Sequence, residues 1–347
     1  MLKVLAGDAA CENDAKKDRH TNVKKHTVYF MRISSIVEAM QTVYRFPQKL
    51  KRGDVVRVVA PCGVLKQDAL EEGLLLLRAQ GLVPRYHPRI FESYRYLAGD
   101  DHARGADLND ALNDRESKAI WVARGGYGSA RLLPHLTSEM ITRSSPWLIG
   151  FSDVTALHTA WSRAGVASLH AANLVILPSW SCAARDELFA WLFDADETVE
   201  EMSYSGTIVS APSQDVVQGF MWAGNTAVLS ALAGTEFWPS REGAIVLLEE
   251  VNDPPYKIDR MLTQLIQAGF FKGVRGVVLG QLTDCETPTP QGYSARDVAV
   301  EILSTLGVPV LADVQVGHGT LSRMIPIGAQ AVLDVAAQNL RCRKRGV

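Results

Sequence analysis

The sequence predicts an α/β fold built around a largely parallel sheet. From residue 54 onward, short apolar runs alternate with amphipathic ones, as in "DVVRVVAP" followed by "DALEEGLLLLRAQG". This alternation is typical of parallel strands joined by helices. Glycines close two of the predicted helices, at Gly81 and Gly165, as glycine commonly does at helix ends. Functional groups in such sheets gather beyond the carboxyl ends of the strands.

The elements follow one another in a regular order. In the first half, the pattern predicts strands at 54–61, 83–87, 118–126 and 146–152, and helices at 68–81, 103–114, 129–136 and 153–165. In the second half, it predicts strands at 205–211, 215–224, 244–250, 274–282, 308–314 and 329–335, and helices at 225–234 and 257–269. The second half is therefore also α/β, with a less regular alternation.

The chain of 347 residues is long enough for two domains, each with its own core. Residues 1–46 are polar and weakly patterned, and we interpret them as a flexible N-terminal extension. The predicted N-terminal α/β domain covers 47–180, a polar, helix-rich linker covers 181–204, and the C-terminal domain covers 205–347.

Composition and charge exclude several classes of partner. The chain carries 36 basic and 38 acidic residues, so no general attraction to nucleic acid or to an anionic membrane is expected. The five cysteines are scattered and form no C-x-x-C pair, which argues against a zinc or redox site. No signal peptide or apolar run of membrane-spanning length is recognisable. We expect a cytoplasmic protein that acts on small molecules or peptides and needs no metal or other cofactor.

Ser152 lies in "WLIGFSDVTALH", where a predicted strand runs into a helix. One interpretation is a helix cap, because serine and aspartate accept hydrogen bonds from the first N–H groups of a helix. The other is a nucleophile raised above the sheet on a sharp turn, beside backbone N–H groups that form an oxyanion hole. The G-x-S-x-G pattern of α/β-hydrolases is not met, because Val154 replaces the second glycine.

The glycine loop "RGGYGSARLL" also follows a strand. From Gly126 it reads G-x-G-x-x-R, so the dinucleotide fingerprint is incomplete. A tight turn, a nucleotide-binding loop and an oxyanion or carboxylate loop supplied by Gly125 and Gly126 remain open. Arg124 is a possible carboxylate partner.

Two further stretches carry candidate acid and base groups. Glu249 and Glu250 end an apolar strand, and because side chains alternate along a strand, one should face solvent and the other a partner. His318 lies between two glycines after a strand, where an imidazole would be accessible near neutral pH. His170 is its main competitor. Together with Ser152, these residues supply a nucleophile, an acid and a base in the order Ser, Glu, His.

Residues 50–337 resemble the LD-carboxypeptidases, the murein tetrapeptide carboxypeptidase family of serine peptidases. The motifs that carry the resemblance are "RGGYGSARLLPHL", "LIGFSDVTALH", "AGNTAVLSALAGT", "LLEEVNDPPYKIDRMLTQL", "GVVLGQLTDC" and "GHG…PIGAQAVLD". The resemblance implies an N-terminal domain akin to class I glutamine amidotransferases, which are flavodoxin-like. It also implies a C-terminal swivelling β/β/α domain and a homodimer.

The resemblance implies roles for individual residues. Its catalytic residues would be Ser152, Glu249 rather than Glu250, and His318, with oxyanion donors on the backbone of Gly126 and Asp153. Helix capping would then pass from Ser152 to Asp153 or Thr155. The residues that could bind the substrate's terminal carboxylate are Arg124, Tyr127, Asn225 and Arg260.

The implied reaction is hydrolysis of an L,D-amide that releases a terminal D-amino acid, D-alanine, from a murein tetrapeptide in peptidoglycan recycling. A second branch, the microcin C self-immunity peptidases, cuts an amide between an amino acid or peptide and a nucleotide. An interpretation from another class is a nucleotide-binding module that uses the glycine loop. The sequence departs from the family pattern at His170, followed by two alanines, and at Cys62, which could line the pocket.

Overall fold

The computed structural model describes residues 44–193, 200–212, 215–286 and 292–344. The described residues all belong to one compact unit. Most of the predicted extension lies outside the described residues, but its last three residues do not. Tyr44 is buried, with its hydroxyl 2.5 Å from Ser162 Oγ, and the Arg45 N–H donates to Gly165 O at 2.7 Å. The packed chain therefore begins before the predicted residue 47.

The first sheet has the order β12-β5-β4-β3-β1-β2 within the described residues. Its strands are β1 (Val55–Val59), β2 (Val83–Arg85), β3 (Ser117–Val122), β4 (Trp147–Gly150), β5 (Ser168–His170) and β12 (Ile325–Ile327). The first five run parallel in the flavodoxin-like order 2-1-3-4-5. β12, from the far end of the chain, adds an antiparallel edge strand through Ile325 opposite His170.

Helices accompany this sheet, and three of them match the helices predicted at 68–81, 103–114 and 153–165. The helices are α1 (Gln67–Ala79), α2 (Asp101–Asn113), α3 (Ser138–Ser144), α4 (Thr155–Arg163) and α5 (Cys182–Leu192). The predicted helix at 129–136 is wrong: Ser129–His135 is a 3-10 segment with Pro134 inside it. Proline has no N–H and clashes within an α-helix, so a regular helix is disfavoured there.

The second sheet has the order β6-β14-β13-β8-β9-β10-β11-β7 within the described residues. Its strands are β6 (Glu201–Ser205), β7 (Thr207–Ser210), β8 (Val216–Asn225), β9 (Ala244–Val251), β10 (Gly276–Thr283), β11 (Val310–Ala312), β13 (Gln330–Asp334) and β14 (Asn339–Arg343). The central β8, β9, β10 and β11 are parallel. The remaining helices are α6 (Thr226–Ala231), α7 (Pro255–Gln267) and α8 (Ala295–Ser304). The α/β class with a parallel sheet is confirmed.

The two sheets meet beside α4. The Asn225 N–H at the end of β8 donates to Thr155 Oγ1 at 2.9 Å, and a Cβ on Gly224 would lie 2.6 Å from Thr155 Cγ2. Only glycine permits this approach, because any side chain at residue 224 would overlap the helix. Asn225 also lies opposite Glu249 in the pairing of β8 with β9. The contact therefore brings the carboxyl ends of parallel strands from both sheets together.

Candidate active site

Ser152 lies at the carboxyl end of β4 with a left-handed backbone, φ 65°. This conformation is costly for a residue with a Cβ and persists only where the surroundings enforce it. Two glycines make room for the turn. A Cβ on Gly125 would lie 3.3 Å from Ser152 Oγ, and one on Gly150 would lie 2.9 Å from Val154 Cγ2. The strand, the tight turn and the 3-10 segment Ser152–Val154 that leads into α4 form an elbow that presents the serine.

The capping prediction for this turn is wrong. Neither the 3-10 segment nor α4 has a side-chain cap. The Asp153 carboxylate instead accepts the Ser129 N–H at 2.9 Å, and Thr155 Oγ1 accepts the Asn225 N–H. Both side chains are thus occupied by long-range contacts, which local sequence could not indicate.

Asn173 is a residue that the sequence analysis missed. Its Oδ1 accepts the Phe151 N–H at 3.2 Å, and its Nδ2 donates to Phe151 O at 3.3 Å. The side-chain amide of Asn173, a residue that is 2% exposed, therefore binds both the N–H and the carbonyl oxygen of Phe151. Asn173 thus positions the elbow from the loop that follows β5. In the sequence, only its location just after a strand could have indicated this role.

The glycine loop is joined to the elbow. Besides the bond from Ser129 N to Asp153, the Ser129 hydroxyl donates to Asp153 O at 2.5 Å. Gly126 has φ 114°, which turns its peptide in a way that side chains disfavour. Within the described residues, the Gly126 N–H donates no hydrogen bond to another backbone group. This N–H and that of Asp153 are the candidate oxyanion donors.

Glu249 and His318 form a hydrogen-bonded pair across the second sheet. His318 Nδ1 lies 2.7 Å from Glu249 Oε2, and the carboxylate is fully buried. Because a carboxylate only accepts, Nδ1 carries the proton and Nε2 is left as the basic nitrogen. The Phe151 ring lies 4.5 Å from the His318 ring, centroid to centroid. Since Phe151 precedes Ser152, this contact brings the three predicted residues to one place.

Burial and charge act on His318 in opposite directions. Burial lowers its pKa, whereas the charge and hydrogen bond of Glu249, with a further contribution from Glu250, raise it. The net pKa of His318 is raised above the ordinary 6.5. The pair therefore favours the imidazolium, the form that a general base acquires during the reaction.

The loop that carries His318 is shaped by its flanking glycines. Gly317 has φ 145°, and a Cβ there would lie 3.3 Å from Glu249 Oε2. The Gly319 N–H donates to Gln281 Oε1 at 2.9 Å. The two glycines therefore let the backbone on either side of His318 lie close to the Glu249 and Gln281 side chains.

The expectation that one of the two glutamates faces solvent is wrong. Glu250 is 2% exposed. Its carboxylate accepts hydrogen bonds from Asn225 Nδ2 at 3.0 Å, Ala227 N at 2.6 Å and Val251 N at 2.9 Å. The alternation of the strand does hold, because the two side chains have separate partners. Burial raises the pKa of Glu250 to about 7, against the lowering effect of these bonds.

His170 lacks the partners of His318. It is 1% exposed, and neither ring nitrogen has a hydrogen-bond partner within the described residues. Burial, followed by the neighbouring His158 and His318, holds its pKa well below 6.5. With no carboxylate to orient it, His170 is the weaker candidate base.

The other predicted residues are spread around the site. Arg124 is exposed, and its guanidinium donates to Val64 O. Tyr127 is 52% exposed beside it. Asn225 is buried: besides its bond to Glu250, its Oδ1 accepts the Val228 N–H at 3.1 Å at the start of α6. Arg260 lies on the exposed face of α7 over the Tyr256 ring.

Cys62 is fully buried, and burial raises the pKa of its thiol well above 9.0, which disfavours the nucleophilic thiolate. In the part of the chain that the structure describes, no group of three or more His, Cys, Asp or Glu side chains could hold a metal ion. No helix in that part is long and apolar enough to cross a membrane.

Comparison with known proteins defines the class. Family models for the N-terminal and C-terminal domains of LD-carboxypeptidases match residues 56–171 and 218–333. The murein tetrapeptide carboxypeptidase of Pseudomonas aeruginosa is 30% identical over 285 residues, covering 80% of this chain and 92% of that protein. The chain therefore belongs to the LD-carboxypeptidase family. It is a hydrolase of the serine-type LD-carboxypeptidase class.

Solved structures share this fold. The muramoyltetrapeptide carboxypeptidase from Oxalobacter formigenes matches with a TM-score of 0.73 and 24% identity, covering 84% of this chain and 100% of that chain. MccF in complex with glutamyl sulfamoyl guanosine matches with a TM-score of 0.76 and 18% identity, covering 87% and 99%.

Proposed function

We propose that this protein releases a terminal D-alanine from a murein tetrapeptide, with Ser152 as nucleophile, His318 as general base and Glu249 as its orienting acid. The observation that carries the proposal is the 2.7 Å contact between Glu249 and His318 beside the strained Ser152 elbow. The P. aeruginosa relative supports the choice of substrate, because it is named as a murein tetrapeptide carboxypeptidase.

The geometry supports a two-step acyl transfer. His318 Nε2 takes the proton of the Ser152 hydroxyl as its oxygen attacks the amide carbonyl, while Glu249 holds the Nδ1–H tautomer and stabilises the imidazolium. The Gly126 and Asp153 N–H groups stabilise the tetrahedral oxyanion, and losing one such donor costs about 3–4 kcal/mol. His318 then returns the proton to the leaving amine of D-alanine. Water, deprotonated by the same imidazole, hydrolyses the ester.

Ser152→Ala tests the proposal directly. Wild type and variant are incubated with L-Ala-γ-D-Glu-meso-diaminopimelate-D-Ala, and the loss of D-alanine is followed by mass spectrometry. Wild type should release D-alanine, and the variant should lose at least about 10³-fold in rate. Ser179→Ala is the matched control, because this serine is exposed and bonds only Ile176 O. Equal release by wild type and Ser152→Ala would contradict the assignment.

The second candidate is cleavage of an aminoacyl- or peptidyl-nucleotide amide, favoured by the structural likeness to MccF. The same triad would perform it, so only the substrate distinguishes the two functions. Turnover of an aminoacyl nucleotide but not of the tetrapeptide, by wild type and not by Ser152→Ala, would select this second function. A homodimer and a cytoplasmic location remain predictions, and light scattering of the purified protein would test the former.

A further inference from the structure

Arg104 is a charged residue whose side chain is fully buried, which is unusual for an arginine unless its N–H groups are paired. It lies near the start of α2, on the buried helix face that also carries Leu108 and Ala111. Because α2 connects the parallel strands β2 and β3, it begins near the carboxyl ends of the strands. The guanidinium therefore lies at the edge of the first sheet that carries the elbow.

The Arg104 guanidinium joins the loop after β1 to the glycine loop. Its Nη1 donates to Pro61 O and, at 3.0 Å, to Gly128 O. The same two loops are also joined through the backbone, because the Gly63 N–H donates to Gly125 O at 3.1 Å. The glycine loop is thus held at two points, one on each side of its candidate oxyanion donor.

These contacts leave little freedom to the backbone around Gly126. A Cβ on Gly128 would lie 2.9 Å from Arg104 Nη1. A Cβ on Gly126 would lie 3.4 Å from Gly63 Cα. Both glycines have positive φ, 127° and 114°, and because glycine is conformationally permissive, contacts with the neighbouring loop must fix this shape. A shift of the guanidinium would therefore release the backbone that orients the Gly126 N–H.

Asp101 holds the guanidinium from the solvent side. Its carboxylate accepts a hydrogen bond from Arg104 Nη2. It also accepts hydrogen bonds from Arg131 Nε at 2.9 Å and Nη2 at 2.5 Å. The Asp101 and Arg131 side chains are 34% and 43% exposed, whereas that of Arg104 is fully buried. The carboxylate therefore neutralises the buried charge and fixes the plane of the guanidinium.

Resting on the function proposed above, we propose that Arg104 is a positioning residue of the oxyanion hole. Its guanidinium holds the two loops so that the Gly126 N–H points at the carbonyl oxygen of the scissile amide. Arg104 itself touches no reacting atom and acts only through Pro61 O and Gly128 O. Because the oxyanion develops only in the transition state, a misplaced donor lowers kcat and leaves KM unchanged.

Arg104→Met and Arg104→Lys test the assignment in the release of D-alanine from the murein tetrapeptide. Methionine fills the space without donors, so kcat should fall about 10²-fold, with KM and the pH dependence of kcat/KM unchanged. Lysine restores charged N–H donors and should raise kcat about tenfold above that of the methionine variant. Arg241→Met is the matched control and should keep the wild-type kcat. Arg241 also donates to two backbone carbonyls, Phe270 O and Gly269 O, but lies before the amino end of β9.

The rate at which a fluorophosphonate labels Ser152 gives a second measurement, because the phosphoryl oxygen takes the place of the oxyanion. Labelling, followed by mass spectrometry, should slow together with kcat in Arg104→Met and keep the wild-type rate in Arg241→Met. Both rates are referred to the folded fraction from urea unfolding, so a loss of stability alone does not lower them. Asp101→Asn changes only a partly exposed side chain, and both rates should fall about threefold, since a neutral amide binds the guanidinium less strongly.

Unchanged kcat and labelling in Arg104→Met, or in Asp101→Asn where the first variant does not fold, would overturn the positioning role. A loss confined to KM would overturn it as well. Labelling of wild-type Ser152 that slows in Arg104→Met, without release of D-alanine by either protein, would refute the proposed function and support the positioning role.

Discussion

The elbow around Ser152 and the pair of Glu249 with His318 hold their functional groups by different means. The elbow depends on backbone shape, with φ 65° at Ser152 and tight contacts for any Cβ added to Gly125 or Gly150. The pair depends on a buried carboxylate 2.7 Å from an imidazole. Added atoms should therefore damage the elbow, whereas lost charge should damage the pair.

Glu249→Gln removes the charge with little change in shape and should give the largest effect. The amide can orient the wrong imidazole tautomer, so kcat should fall about 10⁴-fold, as for the corresponding change in a Ser-His-Asp triad. The acid limb of the kcat/KM profile should also move to lower pH, because burial continues to lower the pKa of His318 and the carboxylate no longer raises it. In wild type, activity should be lost as the pH falls through a pKa above 6.5.

Steady-state kinetics from pH 5 to 9 measure both effects. Asp313→Asn is the matched control, since this carboxylate pairs with Arg296 at the surface and asparagine tolerates its left-handed backbone. An unshifted acid limb in Glu249→Gln would refute the account of the His318 pKa.

Glu250 lies next to Glu249 in the sequence, and we expect its carboxyl group to affect the pH dependence of folding stability rather than the chemical step. Its folded-state pKa is about 7, against 4.5 for an unperturbed group. Between these values the folded state holds a proton that the unfolded chain has lost, so stability falls as the pH rises. The fall reaches about 3 kcal/mol. In Glu250→Gln, this fall in stability with rising pH should be absent, even if the substitution lowers stability by a constant amount at every pH.

Urea unfolding of both proteins at pH 4.5 and pH 8 checks this prediction. Exposed Glu71→Gln should keep the wild-type slope, because that carboxylate pairs with Arg78 at the surface. Parallel slopes for wild type and Glu250→Gln would show that Glu250 does not retain its proton on folding.

Gly125→Ala tests the elbow by adding one methyl group. Its Cβ would lie 3.0 Å from Asn173 Nδ2 and 3.2 Å from Ser152 Cβ, so these neighbours must shift by a few tenths of an ångström. A displacement of about 1 Å costs on the order of 10²-fold in kcat, so this smaller shift should lower kcat by roughly tenfold to 10²-fold. Gly105→Ala is the control, because its Cβ would meet only Leu132 Cδ2 at 3.9 Å. Equal kcat for the two variants would mean that the elbow is not held by tight packing.

Periodicity and motifs predicted the parts of the site that lie at strand ends. Ser152, Glu249 and His318 each lie at or just beyond the end of a strand that was predicted from an apolar run, and the parallel order places such ends at one edge. The strand β12 was not predicted, because three residues, Ile325–Ile327, carry too short a pattern. Its place in the first sheet depends on pairing with residues more than 150 positions earlier.

The errors on the side chains of the site share a physical cause. The solvent-facing position expected for Glu249 or Glu250 and the expected caps at Asp153 and Thr155 were derived from neighbours in sequence. The structure occupies these side chains with partners from other elements, such as Ser129 for Asp153 and Asn225 for Glu250. A local sequence pattern does not show which hydrogen-bond donor from another element will lie next to a given side chain, so these contacts could not be predicted.

Asn173→Ala gives the smallest predicted loss and separates positioning from chemistry at the elbow. It leaves the buried N–H and carbonyl of Phe151 without their partner, which costs about 1–3 kcal/mol of stability. Because Asn173 acts only through Phe151, kcat should fall about tenfold with KM and the acid limb of the pH profile unchanged. Asn113→Ala is the control and should leave stability and kcat unchanged, because it removes only hydrogen bonds to Asn109 on the same exposed helix face. A shifted acid limb in Asn173→Ala would place this amide in the charge network of His318 rather than in the backbone support of Ser152.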